Sequence, residues 1–141
     1  MGNRKIVLDA NIIVRAILGH KVSDLMQRSC SQNDFYTPAM CFGEVEKHLP
    51  TICQKRSMAL SEPLAAMDKL KDAITAVESE AYSFYEQEAK SRIEVRDIND
   101  WPVVACALLL NCPIWTEDND FFGTGLPTWT TDRVHLYLLG P

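Results

Sequence analysis

From Val103 to Leu110 the chain reads VVACALLL, eight residues with no polar face. A helix of that composition has no side to turn toward water, so it must be buried. Asp100, Trp101 and Pro102 stand just ahead of it, which predicts a helix from Trp101 to Asn111, capped by Asp100 and starting close to the core. A turn at Pro113 and a strand at Ile114 and Trp115 follow. At the other end of the chain, Lys5 to Leu8 is a short apolar run rich in β-branched residues, read as a buried strand, and Asn11 to Leu18 reads as a helix ending near Gly19.

The segments between fill out the same alternation. Val22 to Cys30 reads as a second helix, and Phe35 with Tyr36 as a brief strand. In "TPAMCFGEVEKHLP" Thr37 fits an N-cap, Pro38 the first helical turn and Pro50 the stop. Residues 57 to 91 read as two helices separated near Val77 to Ala81, the first opening at "SEPL" from Ser61 to Leu64. "EDNDFFGTG" reads as a polar loop with a short aromatic turn, and Thr128 to Thr130 as a further strand. Strands separated by helices imply an α/β three-layer sandwich, a central parallel sheet flanked by helices. The length of 141 residues suits one domain over residues 1–141 with a core that needs no staples.

Bulk properties narrow the class further. No apolar run approaches the roughly 20 residues of a membrane helix, and the N-terminus lacks a signal peptide's apolar core. Cys30, Cys41, Cys53, Cys106 and Cys112 are odd in number and form no CxxC pair, so they read as small buried hydrophobes in a reducing cytoplasm. The net charge of −5 argues against a passive nucleic-acid binder, whose affinity comes from Lys and Arg, but not against an enzyme whose carboxylates a metal neutralises.

The acids are where the chemistry gathers. In "IVLDANIIVRAIL" Asp9 ends the first strand, where a parallel sheet binds its ligands, with Asn11 two residues on. In "TEDNDF", Thr116 to Phe121, three acids in four residues follow another strand and repel one another unless something positive sits among them. Asp97 and Asp100 precede the buried helix. Glu44 and Glu46 lie on the helix from Pro38, where Pro38, Phe42, Val45 and Leu49 form an apolar stripe at about 100° per residue. The wheel places Glu46 nearer that stripe and leaves the choice between the two open. Each acid has a plainer reading, as a helix cap or a solvated charge. Together they suit Mg²⁺ or Mn²⁺, which favour carboxylate and water, and one or two such ions activate water against a phosphodiester.

These motifs, "VLDANIIV", "TPAMCFGEVEKHL", "DINDWPVVACAL" and "IWTEDNDF", resemble in order and spacing those of the PIN-domain family, and within it the small bacterial VapC-like ribonucleases. The resemblance runs nearly the whole chain and implies a PIN-like sandwich that often dimerises. By it, the catalytic and metal-holding acids fall on Asp9, Glu44, Asp100 and Asp118, with Asp120 as a further ligand. Asn11, Asp97 and Thr116 become accessory residues. It also implies RNA cleavage with Mg²⁺ or Mn²⁺ and, as in many small bacterial members, a toxin silenced by a protein antitoxin. Arg15, Lys47, Lys55, Arg56 and Arg96 are candidate phosphate contacts. Trp101–Pro102 and Glu117 depart from the usual pattern, and Glu117 adds negative charge where phosphate should approach.

Two other readings are weaker. A non-catalytic PIN-like module that binds nucleic acid or protein would be marked by loss of an acid, and none is lost. An aspartate-based phosphatase needs a second Asp two residues after its nucleophile, and that position is Asn11.

Overall fold

The computed structural model of the protein describes residues 2–94 and 96–140. Five strands form one all-parallel sheet: β1 (Arg4–Leu8), β2 (Asn33–Pro38), β3 (Ile74–Val77), β4 (Ile114–Trp115) and β5 (Thr128–Trp129). Their order is β3-β2-β1-β4-β5. The chain therefore steps outward from β1 to β3, then crosses back to lay β4 on the other side of β1. Ile6, Val7, Leu8, Ile114 and Trp115 are wholly buried, as strands covered on both faces must be.

Helices α1 (Ala10–Leu18), α2 (Lys21–Ser29), α3 (Ala39–Lys55) and α4 (Ser61–Ala73) carry the outward steps, and α3 and α4 both pack on α1. The return crossing uses α5 (Ser79–Tyr82), α6 (Glu86–Ile93) and α7 (Trp101–Leu110), and α5 and α6 pack on α7. Right-handed crossovers in opposite directions put the two sets on opposite faces, which gives the three layers expected. The last helix, α8 (His135–Leu138), packs on α2. At the N-terminal end of β2, the buried Asn33 amide donates to the Ser29 and Leu138 carbonyls at 3.0 and 2.7 Å, tying α2 and α8 to the sheet.

Several local expectations need correction. Thr37 caps nothing: it lies in β2 and its hydroxyl donates to the Leu8 carbonyl at 2.7 Å, while Pro38 takes the N-cap position of α3. Pro50 does not end that helix, which runs on to Lys55. Pro50 sits on the exposed face, and the buried stripe of Phe42, Val45 and Leu49 continues one turn further to Cys53. The middle segment contains a strand between its helices, because Ile74–Val77 pairs with Phe35–Pro38 of β2 directly after α4. Cys30 is exposed just past the end of α2, its thiol donating to Gln27 O, whereas the other four cysteines are buried. Among the described residues no helix is long and apolar enough to cross a membrane.

Candidate metal centre

Asp9 stands at the carboxyl end of β1, beside the carboxyl end of β4, and its amide donates to Trp115 O at 3.1 Å. Only 7% of the residue is exposed. One carboxylate oxygen accepts the Ala10 amide at 2.8 Å, which makes Asp9 the N-cap of α1. The other accepts the Thr116 hydroxyl at 2.8 Å and the Asn11 amide at 3.2 Å. Burial pushes the carboxyl above its ordinary value. The bonds from Thr116 and Ala10 oppose that shift, and the charges of Asp118 and Glu44 add to it.

Thr116 is fully buried and uses its whole hydrogen-bonding capacity. It donates to Asp9 and accepts the Asp118 amide at 2.9 Å and the Asn11 side chain at 3.3 Å. Asn11 in turn accepts the Glu117 amide at 3.2 Å. One hydroxyl and one amide thus lock the first acidic motif to the last. Beyond Thr116 the loop folds into a 3₁₀ turn over residues 119–121, anchored by the buried Phe121 and capped by Asp118, whose carboxylate accepts the Asp120 amide at 2.9 Å.

Asp100 approaches from the opposite layer. It occupies the N-cap position of α7, yet its side chain makes no capping bond, because Pro102 lacks an N–H and the helix begins tightly. Its carboxylate is left for other work. Burial, then the charges of Asp9, Asp97, Asp118 and Asp120, push it up to about 7. Carboxylate oxygens of Asp100, Asp118 and Asp120 all lie within 4.8 Å of one another. Three acids at that spacing, each partly buried, present oxygen ligands for a hard divalent cation. The nearby Cys41 thiol, pushed up to about 12 by burial, remains protonated and adds no thiolate ligand.

The other expected residues stand at varying distances from this group. Glu44 lies exposed on α3 with its charge felt by Asp9 and Cys41. Glu46 points elsewhere, paired with Lys71 of α4. Asp97 is exposed and accepts the Asn99 amide at 3.0 Å, capping the turn that leads to Asp100. Glu117 is tied to the segment after β5. Its carboxylate accepts the Thr131 amide at 2.9 Å, with Arg15 at 3.9 Å. Arg96 donates to Asn119 O at 3.2 Å and lies 3.8 Å from Asp120, while Lys47, Lys55 and Arg56 are exposed. The role of Asn11 as a bridge between motifs 105 residues apart could not be read locally. Its only sequence signal is an amide placed two residues after a strand-end acid.

The sequence model of the PIN domain matches residues 7–139. The chain belongs to the PIN-domain family. This PIN domain is similar in fold to a chain of VapBC2 from Rickettsia felis, solved bound to a DNA fragment from their promoter. The TM-score is 0.71 and the identity 16%, over 89% of this chain and 98% of that one. It is also similar to a chain of VapBC-1 from nontypeable Haemophilus influenzae, with a TM-score of 0.63 and 16% identity over 91% of this PIN domain and 98% of that chain. No curated protein matches the sequence. The carboxylates are partly buried, and Asp9 almost wholly so. A larger cavity, about 1000 Å³, opens beside Ile17, Met26, Phe35 and Leu70 and contains none of them.

Proposed function

We propose that this PIN domain is a divalent-metal-dependent endoribonuclease and serves as the toxin of a toxin–antitoxin pair. The observation that carries the nuclease reading is the convergence of Asp100, Asp118 and Asp120 within 4.8 Å, with Asp9 fixed beside them by Thr116. Burial and the charges of the neighbouring acids raise the affinity of Asp9 and Asp100 for a proton. Such a group costs the fold stability unless a cation offsets the repulsion.

When bound there, Mg²⁺ or Mn²⁺ would supply an activated water and stabilise charge on the leaving oxygen of a phosphodiester. Asp100, Asp118 and Asp120 would hold the cation, and Asp9 and Glu44 would complete the acidic surround from β1 and α3. Thr116 and Asn11 keep Asp9 aimed. Arg96, beside Asp120, is a candidate phosphate contact. Support for the toxin reading comes from the VapC-like order of the sequence motifs and from the likeness in fold to chains of VapBC complexes. It carries with it a protein antitoxin and a homodimer as partners.

The test is cleavage of a mixed single-stranded RNA by the wild type and by Asp9→Asn, each with Mg²⁺, Mn²⁺ or EDTA. Cleavage by the wild type with metal alone, and none by the variant, supports the reading. A folded wild type that binds Mn²⁺ and RNA yet cuts nothing would make it a binding module instead.

A further inference from the structure

At the C-terminal end of α1, a second cavity of about 360 Å³ is walled by Arg15 of α1, His20 and Lys21 at the start of α2, Arg56 just past the end of α3, and Thr131. Cationic side chains from three separate elements meet there, in a chain where 19 acids outnumber 14 lysines and arginines. The start of α2 faces the same space. Its N-cap residue, His20, makes no side-chain capping bond, so the first backbone N–H groups of the helix are left for a ligand. Acids do stand nearby. Glu117 is held by the Thr131 amide and approached by Arg15, and Asp132, within reach of the Lys21 charge, is bonded to the Thr130 hydroxyl. Neither carboxylate lines the cavity.

The position of the cavity identifies its ligand. Glu117 immediately precedes Asp118, and its carboxylate touches both Thr131 and, at 3.9 Å, Arg15. A chain of direct contacts therefore joins the cationic wall to the loop that carries Asp118 and Asp120. Because α1 starts at Asp9 and its far end borders the cavity, a polyanion lying across the carboxylates and along α1 would reach it. We propose that the cavity is a phosphate subsite that holds the backbone of the RNA strand one or more nucleotides from the scissile bond. Arg15, Lys21 and Arg56 would supply charge and the α2 amides orientation. The inference rests on the ribonuclease reading and deepens it. It also accounts for how an acidic chain holds a polyanion, since cations from three elements are gathered in one cavity.

The experiment measures kcat and KM for cleavage of a single-stranded RNA with Mn²⁺ as KCl is varied, for the wild type, Lys21→Gln, Arg56→Gln and the double variant. Lys69→Gln, on the exposed side of α4, is the control. Each lost phosphate contact should flatten the slope of log(kcat/KM) against log[KCl] by about 0.7, with kcat at saturation unchanged. The control should keep the wild-type slope. Melting temperatures equal to the wild type's show that the variants are folded. An unchanged slope in the folded double variant overturns the proposal, and so does a fall in kcat with KM unchanged. Inorganic phosphate added at constant ionic strength separates the sources: if it inhibits the wild type but not the double variant while the RNA slopes are equal, the cavity takes free phosphate and not the strand. A wild type that neither cuts nor binds RNA removes the ribonuclease reading itself, an outcome distinct from the others.

Discussion

Thr116→Val is the most informative single change, because valine keeps the shape of a fully buried side chain and removes only its hydroxyl. The hydroxyl donates to the Asp9 carboxylate at 2.8 Å and accepts the Asp118 amide at 2.9 Å. A hydrogen bond to a charged group contributes about 1.5–3 kcal/mol, and an orphaned buried N–H costs about 1–3 kcal/mol. The added methyl returns roughly 0.8 kcal/mol. The expected loss is about 2–4 kcal/mol, read by urea denaturation with EDTA at pH 8. The loss should itself depend on pH. Because burial raises the Asp9 carboxyl above 3.8, its contribution to stability is complete below that value and is lost as pH rises through the folded value. The Thr116 bond is the largest influence opposing that rise, so valine lifts the folded value further and extends the loss. The gap between wild type and variant should therefore narrow as the pH falls from 8 and Asp9 takes up its proton in both. A loss under about 1 kcal/mol at pH 8, or a gap independent of pH, would refute the reasoning.

Other outcomes follow from the same geometry. Asp9→Asn should abolish metal-dependent cleavage while the metal-free protein still unfolds in one cooperative transition at pH 7.5; scanning calorimetry checks this. The Asp100 carboxyl is pushed up to about 7, so its contribution to stability is lost between about pH 4 and 7 as the repelling acids ionise. Melting in EDTA should fall across that range, and millimolar Mn²⁺ should flatten the curve. An identical pH profile with and without Mn²⁺ would count against a cation among the acids. Asn33→Ala should cost about 2 kcal/mol in denaturant, because the Ser29 and Leu138 carbonyls lose their shared donor.

The architecture was legible because its signals are local and strong. The unbroken apolarity of VVACALLL and the β-branched run ending at Leu8 left few arrangements other than a covered parallel sheet. What escaped was decided by contacts between elements. Ile74–Val77 looks like the tail of a helix until the edge of β2 is there to receive it. Pro50 looks like a stop because the buried Cys53 one turn on cannot be known in advance. At the site, the acids were all visible, but their employment was not. The helical wheel favoured Glu46, which Lys71 draws toward α4. Glu117 appeared to add negative charge where substrate approaches, and its bond to the amide of Thr131, fourteen residues away, could not be read. Asp100 looked like a cap, and only the tight start of α7 shows that its carboxylate makes no capping bond.

The adjacency of β1 and β4 has a consequence in time as well as in space. Asp9 emerges early during synthesis, but its partner hydroxyl lies 107 residues downstream, and β4 must insert beside a strand already flanked by β2. Contacts this distant in sequence form late. A nascent chain thus carries its first acid through most of its synthesis with no centre to complete, and no fragment that stops short of Asp120 carries the whole group. For a protein whose proposed activity is directed at RNA, the ribosome and its message are out of danger until the last strands are made. By then a protein antitoxin would have a finished surface to meet.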